Sequence, residues 1–229
     1  STQSITGVGF QPDWTWIKNR STATGHRVTD AVRGNTKVIY TNASQAEETV
    51  ANFITSFDSD GFSLGSDGGV NGSGNSIVSW NWKAGTAWSN DASATGIGTL
   101  DSSGSVNTDA GFSIISFTGT ETSSQSVAHG LGAVPELIIS KSRDVADNWM
   151  VHHGSFSEND YISLNLTNAK ASASSVWSSL PTSTVINIGD NAGVNDNGAM
   201  IMYAFNSVQG FSKFGSYTGN GSADGTFVY

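Results

Sequence analysis

The chain has 229 residues, enough for one large β domain or two smaller ones, each with its own apolar core. It contains 27 glycines, 3 prolines and only 13% charged residues, a composition typical of β-rich extracellular or virion proteins rather than helical cytosolic enzymes. A net charge of −9 argues against nucleic acid and anionic membranes as partners, and the lack of cysteine excludes disulfides, thiolate nucleophiles and cysteine-bound zinc.

Short apolar or alternating runs, bounded by Gly, Asp and Asn, predict the β-strands. In chain order they cover residues 14–17, 76–82, 112–117, 136–140, 161–166 and 199–205. Helix is predicted only as a few turns within 45–53 and 170–177, where Asn or Ser can cap the first turn. No run of eighteen apolar residues occurs, so we expect no membrane insertion. The sequence therefore predicts an all-β fold.

One pattern of residues occurs twice in the chain. Residues 11–20 align with 134–143, and the same offset pairs Asn42 with Asn165 without a gap. After compensating one-residue shifts, the Trp-Asn-Trp at 80–82 aligns with the Tyr-Ala-Phe at 203–205. Such self-similarity is typical of tandem structural units.

A second correspondence links residues 111–119 to 210–219 and marks the opening of a unit. We therefore predict a first β unit at 1–85, and a second at 111–229 that includes the opening strand of a third. Residues 86–110 are rich in Gly, Ser, Thr, Asp and Asn and have little apolar periodicity, so they are predicted to form a linker or long loop.

Several long motifs resemble a repeat domain of uncharacterised marine phage tail and fibre proteins. They are GFQPDWTWIKNR at 9–20, TSFDSDGF at 55–62, WNWKAG at 80–85 and GFSKFGSYTGNG at 210–221, and together the matches cover nearly the whole chain. The resemblance implies tandem jelly-roll or lectin-like β-sandwich units with long Gly/Ser/Asn-rich loops. It also implies a virion-associated, extracellular location.

Seven tryptophans are candidates for core packing or for ligand stacking. Trp14 and Trp16 share one face of a strand, as do Trp80 and Trp82, because alternate residues of a strand point the same way. Their counterparts in the second unit are apolar or aromatic, so we expect core packing, with a glycan-stacking platform at Trp80 and Trp82 as the alternative. The predicted ligand-binding residues are the tryptophans outside these pairs: Trp88, Trp149, which replaces His26 of the first unit, and Trp177.

Acidic turns supply the only candidate metal ligands. Asp58, Asp60, Asp190 and Asp196 lie in Asp/Asn clusters whose oxygens suit calcium, although the spacing is not that of an EF-hand. A solvated Asp-Gly turn is the alternative interpretation, because residues 181–183 replace the Asp58 cluster in the second unit. Calcium is the only cofactor that the sequence suggests.

Catalytic motifs do not stand out in the sequence. His26, His129, His152 and His153 have no metal-ligand spacing, no nucleophile elbow is present, and the glutamates are scattered. We therefore expect a non-enzymatic tail or fibre module that recognises a host-surface glycan or protein and self-associates. The alternatives are a purely structural virion or filament protein assembled by strand addition between chains, and an enzyme acting on surface polysaccharide.

Overall fold

The computed structural model describes residues 2–225, and these form an almost entirely β structure, which confirms the all-β prediction. The strands, in chain order, are β1 (Gln3–Ile5), β2 (Trp14–Asn19), β3 (Arg27–Asp30), β4 (Lys37–Tyr40), β5 (Glu48–Thr49), β6 (Ile54–Asp58), β7 (Gly61–Leu64), β8 (Ile77–Trp82), β9 (Thr86–Asn90), β10 (Ser102–Asn107), β11 (Phe112–Thr118), β12 (Gln125–Ala128), β13 (Leu137–Ser142), β14 (Met150–His153), β15 (Asp160–Ser163), β16 (Ala171–Ser172), β17 (Val185–Ile188) and β18 (Ala199–Phe205).

Antiparallel pairing arranges these strands into four sheets. A five-stranded sheet has the order β5-β4-β3-β2-β8, and an eight-stranded sheet has the order β16-β15-β14-β13-β18-β11-β10-β9. The smaller sheets are β1-β7-β6 and β12-β17. Three four-residue helices are α1 (Gly68–Asn71), α2 (Ala92–Thr95) and α3 (Ala192–Asn195). None of the helices within residues 2–225 is long and apolar enough to span a bilayer.

The sheets stack face to face around three apolar cores. The central core joins the five-stranded and eight-stranded sheets, and includes Trp14 and Val28 from the first and Ile114, Tyr203 and Phe205 from the second. An outer core lies between the five-stranded sheet and β1-β7-β6, and the other lies between the eight-stranded sheet and β12-β17. Trp14 faces the central core and Ile17 the outer one, as strand alternation requires.

Aromatic rings fill much of the central core. The Trp14 ring lies 4.5 Å from Trp82 on the neighbouring strand and 4.9 Å from Tyr203 across the sheet interface, measured between centroids. Phe112 stacks on Phe205 at 4.7 Å. The predicted core packing of Trp14 is therefore confirmed, and the two large sheets share one continuous core.

A buried ionic network also joins the two large sheets. Arg33 and Asp30 are both fully buried and paired at 2.5 Å, and Arg33 contacts Glu47 at 3.0 Å. The Tyr203 hydroxyl donates to Asp30 Oδ2 at 2.7 Å and accepts from Arg33 Nη2 at 3.2 Å. Glu47 in turn accepts two hydrogen bonds from Arg143, at 2.9 Å each. Charges this deeply buried are tolerated because each has several partners.

The segment predicted as a linker, residues 86–110, contains two strands instead. β9 and β10 extend the eight-stranded sheet beyond β11, with α2 between them. The prediction of a long loop was wrong there. The Ser, Gly and Ala side chains of this segment give little apolar periodicity, although its backbone forms a full ladder in which, for example, Ser105 lies opposite Ile114.

Two other local predictions also differ from the structure. The expected helical turns at 45–53 and 170–177 are wrong, since these segments carry the two-residue edge strands β5 and β16. The expected strand at 210–219 is absent from the described residues apart from a single bridge between Val208 and Ser212. The end of the predicted second unit, residues 226–229, lies outside the described residues, as does Ser1.

Candidate functional site

Two of the three tryptophans predicted to bind ligand are buried. Trp149 is fully buried, and its Nε1 donates to the Tyr40 carbonyl at 2.9 Å. Trp177 is 2% exposed and lies in the core between the eight-stranded sheet and β12-β17. These two predictions were wrong, because a ring enclosed by protein has no face left for a ligand. Trp88 is half-buried and packs over Gly130, where an added Cβ would come 3.1 Å from the indole.

The acidic candidates for calcium serve as hydrogen-bond acceptors within loops. Asp58 accepts from the Ser56 and Ser63 hydroxyls, both at 2.7 Å. Asp60 accepts from the backbone N–H groups of Gly7 and Gly9, which lower the pKa of its carboxyl.

The other two candidates lie apart from any such cluster. Asp196 is buried and accepts from Ser142, whereas Asp190 is exposed. No group of three or more His, Asp or Glu side chains suited to a metal occurs in residues 2–225, so the structure gives no support to the calcium prediction.

Two of the histidines belong to the packed interior. Burial lowers the pKa of His129 and of His152 to about 4, so both rings are neutral at pH 7. His129 Nδ1 accepts from the Leu131 N–H at 3.2 Å, and the His152 ring lies edge-on to Trp177. Both histidine rings are therefore part of the packed interior and of its hydrogen bonds and ring contacts.

Trp80 is the most exposed tryptophan ring in the described chain, at 44%. It lies opposite Trp16 on β2, with 5.9 Å between ring centroids. Its counterpart Tyr203 is buried because β18 has neighbours on both sides, whereas β8 is an edge strand of the five-stranded sheet. The expected core stripe therefore holds for Trp82, which packs against the central core, and fails for Trp80.

A cleft of about 250 Å³ opens beside Trp16. We name it the inter-sheet cleft. One wall comes from the first half of the chain and the other from the loop after β15: its lining residues are Trp16, His26, Thr41, Asn42, Leu164, Asn165, Leu166 and Thr167. Leu164 and Leu166 are exposed, at 36% and 45%. The cleft thus combines an indole, an imidazole, side-chain amides and apolar surface.

Hydrogen bonds fix the imidazole of the inter-sheet cleft in one state. The Trp16 Nε1–H donates to His26 Nδ1 at 3.2 Å, so in the neutral ring Nε2 carries the proton and can donate to a ligand. Burial, and next the positive charge of Lys18, lower the pKa of His26 below its ordinary value. At pH 7 the cleft therefore offers a neutral N–H donor.

Equivalent asparagines hold the two walls. Asn42 Oδ1 accepts from the His26 backbone N–H at 2.6 Å, and Asn165 Oδ1 accepts from the Trp149 N–H at 3.0 Å. Asn165 also donates from Nδ2 to Asn148 Oδ1 at 2.8 Å. These bonds fix the loop backbones on both sides, so the cleft is preformed rather than assembled on ligand binding.

The lining residues, all within the described part of the chain, include no carboxylate and no cation. The groups available are an aromatic face, hydrogen-bond donors and acceptors, and two leucines. This set suits an uncharged ligand that has both an apolar face and hydroxyl groups. Sequence reasoning missed the cleft because its walls come from positions about 120 residues apart, and no single motif contains them.

The structure defines an all-β protein built from stacked antiparallel sheets. The family model described as a domain of unknown function, DUF7483, matches residues 1–229, and the chain belongs to this family. No curated protein and no solved structure matches the chain significantly.

Proposed function

We propose that the chain is a virion-associated binding module of two lectin-like β-sandwich units that holds a neutral host-surface glycan in the inter-sheet cleft. The observation that carries the glycan assignment is the uncharged lining of the cleft by an indole, a neutral imidazole, side-chain amides and two exposed leucines. The virion association is proposed from the resemblance of the repeated motifs to phage tail and fibre proteins.

The strand order supports the two-unit organisation. The order β5-β4-β3-β2-β8 corresponds strand by strand to β16-β15-β14-β13-β18. The registers correspond too: Trp14 lies opposite Trp82 in the first set, and Leu137 lies opposite Phe205 in the second. The inter-sheet cleft is lined by the matching positions 41–42 and 164–165, so it lies where equivalent loops of the two units meet.

The ligand is proposed to be a glycan because the cleft pairs an apolar face with separate polar groups. A sugar ring presents C–H bonds on its faces and hydroxyls at its edge, which matches an indole beside amide and imidazole donors. With no charged lining residue, in a chain of net charge −9, the cleft offers nothing to attract an acidic polysaccharide.

The size of the cleft predicts weak binding by a single copy. Its volume of about 250 Å³ is below the roughly 300–1,000 Å³ typical of small-molecule pockets, so only a small part of a glycan can be enclosed. Several copies acting together would raise the apparent affinity without new contacts. Multivalent display, as on a tail or fibre, is therefore part of the proposal.

A glycan array probed with a tetravalent form of the chain, followed by calorimetry on the strongest neutral oligosaccharide, tests this function. We expect Leu166→Ala and His26→Ala to weaken binding at least ~10-fold, about 1.4 kcal/mol each, because both side chains line the cleft. The matched control is Leu180→Ala, whose side chain is 50% exposed and does not line the cleft. Binding that all three variants retain equally, or no binding by the wild-type chain to any neutral glycan, would contradict the proposal.

A further inference from the structure

The outer edge of β8 is open. β8 pairs with β2 along one edge, and no strand within residues 2–225 pairs with its other edge. Its counterpart β18 pairs with β13 on one side and with β11 on the other. The five-stranded sheet therefore ends at the position that β11 occupies in the eight-stranded sheet.

Residues 210–219 have the sequence of a strand like β11 without its structure. GFSKFGSYTG at 210–219 corresponds to GFSIISFTG at 111–119, with one extra residue. In β11 the two phenylalanines are buried, at 1% and 5% exposure, whereas Phe211 and Tyr217 are 71% and 72% exposed. Phe211 and Tyr217 thus lie on the surface, and apart from the bridge between Val208 and Ser212 no ladder joins residues 210–217 to a described strand.

We propose that residues 210–217 of one copy add to the open edge of β8 in a second copy, as an antiparallel strand. The register follows from β11 on β18, where Phe112 lies opposite Phe205 and Ile114 opposite Tyr203. Transferred to β8, this places Phe211 opposite Trp82, Ser212 opposite Asn81 and Lys213 opposite Trp80. The extra residue, Gly215, forms a bulge in the added strand.

The proposed register gives Phe211 an aromatic partner. Phe211 beside Trp82 reproduces the stacked pair of Phe112 and Phe205, whose centroids are 4.7 Å apart. The Lys213 ammonium is placed to lie over the exposed ring of Trp80, a cation–π arrangement. The β8 sequence, IVSWNW, carries no charge, so the net charge of −9 opposes the approach only weakly at this edge.

The contacts within a single chain favour a second copy as the partner. Phe211 already lies in the same cleft as Asn81 and Trp82 of its own chain, yet no ladder forms. The segment is instead held at the end of β18, where Phe214 N–H donates to Ser207 Oγ at 3.1 Å and the Phe214 ring lies 5.6 Å from Phe205. The β11 register would place Phe214 opposite Ser79, about 10 Å along β8 from Trp82.

Reciprocal exchange satisfies both copies at once. Each chain carries one open β8 edge and one exposed segment, so two chains related by a twofold axis can fill both edges and close the assembly. The alternative of one-way addition would give open chains of copies rather than a closed pair. We assign the twofold pair because an isologous contact leaves no β8 edge unfilled.

Designed disulfides test the register directly, because the chain contains no cysteine. We expect Asn81→Cys combined with Ser212→Cys to form a covalent dimer under mild oxidation, since these positions lie directly opposite each other in the proposed ladder. The matched control, Ile77→Cys with Ser212→Cys, is four residues out of register and is expected to cross-link at least ~10-fold less.

Three results would overturn the proposal: an intrachain disulfide in the matched pair, equal cross-linking in the control, or no cross-link in either. Light scattering provides a second measurement without cysteines. The wild-type chain is expected at twice its monomer mass, and the chain truncated after Gln209 is expected as a folded monomer by circular dichroism. A wild-type monomer would also overturn the proposal. Neither measurement involves a glycan, so the cleft function succeeds or fails separately.

Discussion

Tyr203→Phe removes a single oxygen from the network that joins the two large sheets. The Tyr203 hydroxyl donates to Asp30 and accepts from Arg33, and burial holds its pKa well above its ordinary value, so it remains a donor at neutral pH. A hydrogen bond to a charged group contributes about 1.5–3 kcal/mol. The two hydrogen bonds of the hydroxyl together would then contribute about 3–6 kcal/mol. Because Asp30 still pairs with Arg33 in the variant, part of this energy is retained, and we expect a net loss of about 3 kcal/mol.

Urea unfolding followed by tryptophan fluorescence and by circular dichroism measures this loss. The matched control is Tyr217→Phe, whose ring is 72% exposed and whose free energy of unfolding should change by less than ~0.5 kcal/mol. Both probes should report one transition, because the central core and the ionic network span both sheets. A loss below ~1 kcal/mol for Tyr203→Phe, or two separate transitions in the wild-type chain, would refute the idea that the sheets form one cooperative structure.

Four further predictions concern stability and metal binding. The pKa of His129 and of His152 is lowered to about 4 in the folded state, so below pH 6.5 the unfolded state binds more protons. The free energy of unfolding should therefore fall by up to ~3 kcal/mol per histidine between pH 6.5 and 4. A urea midpoint that does not change over this range would contradict this. Burial lowers the pKa of Lys141 to about 8, so stability should rise between pH 8 and 10.5, and a fall over the same range would contradict it. Trp149→Phe should lower the free energy of unfolding by about 2–3 kcal/mol and leave glycan affinity unchanged, because the ring is buried. A variant that loses glycan binding but keeps its stability would contradict this. Calcium should not change the melting temperature, because the Asp60 carboxylate already accepts hydrogen bonds from two backbone N–H groups. A calcium-dependent rise in melting temperature that Asp60→Asn abolishes would instead support a calcium site at Asp60.

Five of the longer strands were predictable from the sequence because each has an apolar face. β2, β8, β11, β13 and β18 all contain alternating or continuous apolar residues next to turn residues, and the structure places all five in the large sheets. β9 and β10 could not be found this way. Most of their side chains are small or polar and leave no periodic apolar signal, although the two backbones form a regular ladder.

The candidate site could be predicted only in part. Aligning Trp80 with Tyr203 correctly places both on the same face of equivalent strands, but burial depends on the next strand in the sheet. β11 covers β18, and no described strand covers β8, so one ring is enclosed and the other exposed. Trp149 shows the reverse error: its counterpart in the repeat is the half-buried His26, yet Trp149 fills the core beside Tyr40.

An NMR titration of the seven tryptophan indole N–H signals with the strongest neutral glycan tests the binding cleft most directly. Single Trp→Phe variants assign the signals. We expect the signal of Trp16, which lines the cleft, to shift in a saturable way, while those of the buried Trp149 and Trp177 remain in place. Saturable shifts confined to other indoles, or none at all with a glycan that binds by calorimetry, would place the ligand elsewhere and contradict the account.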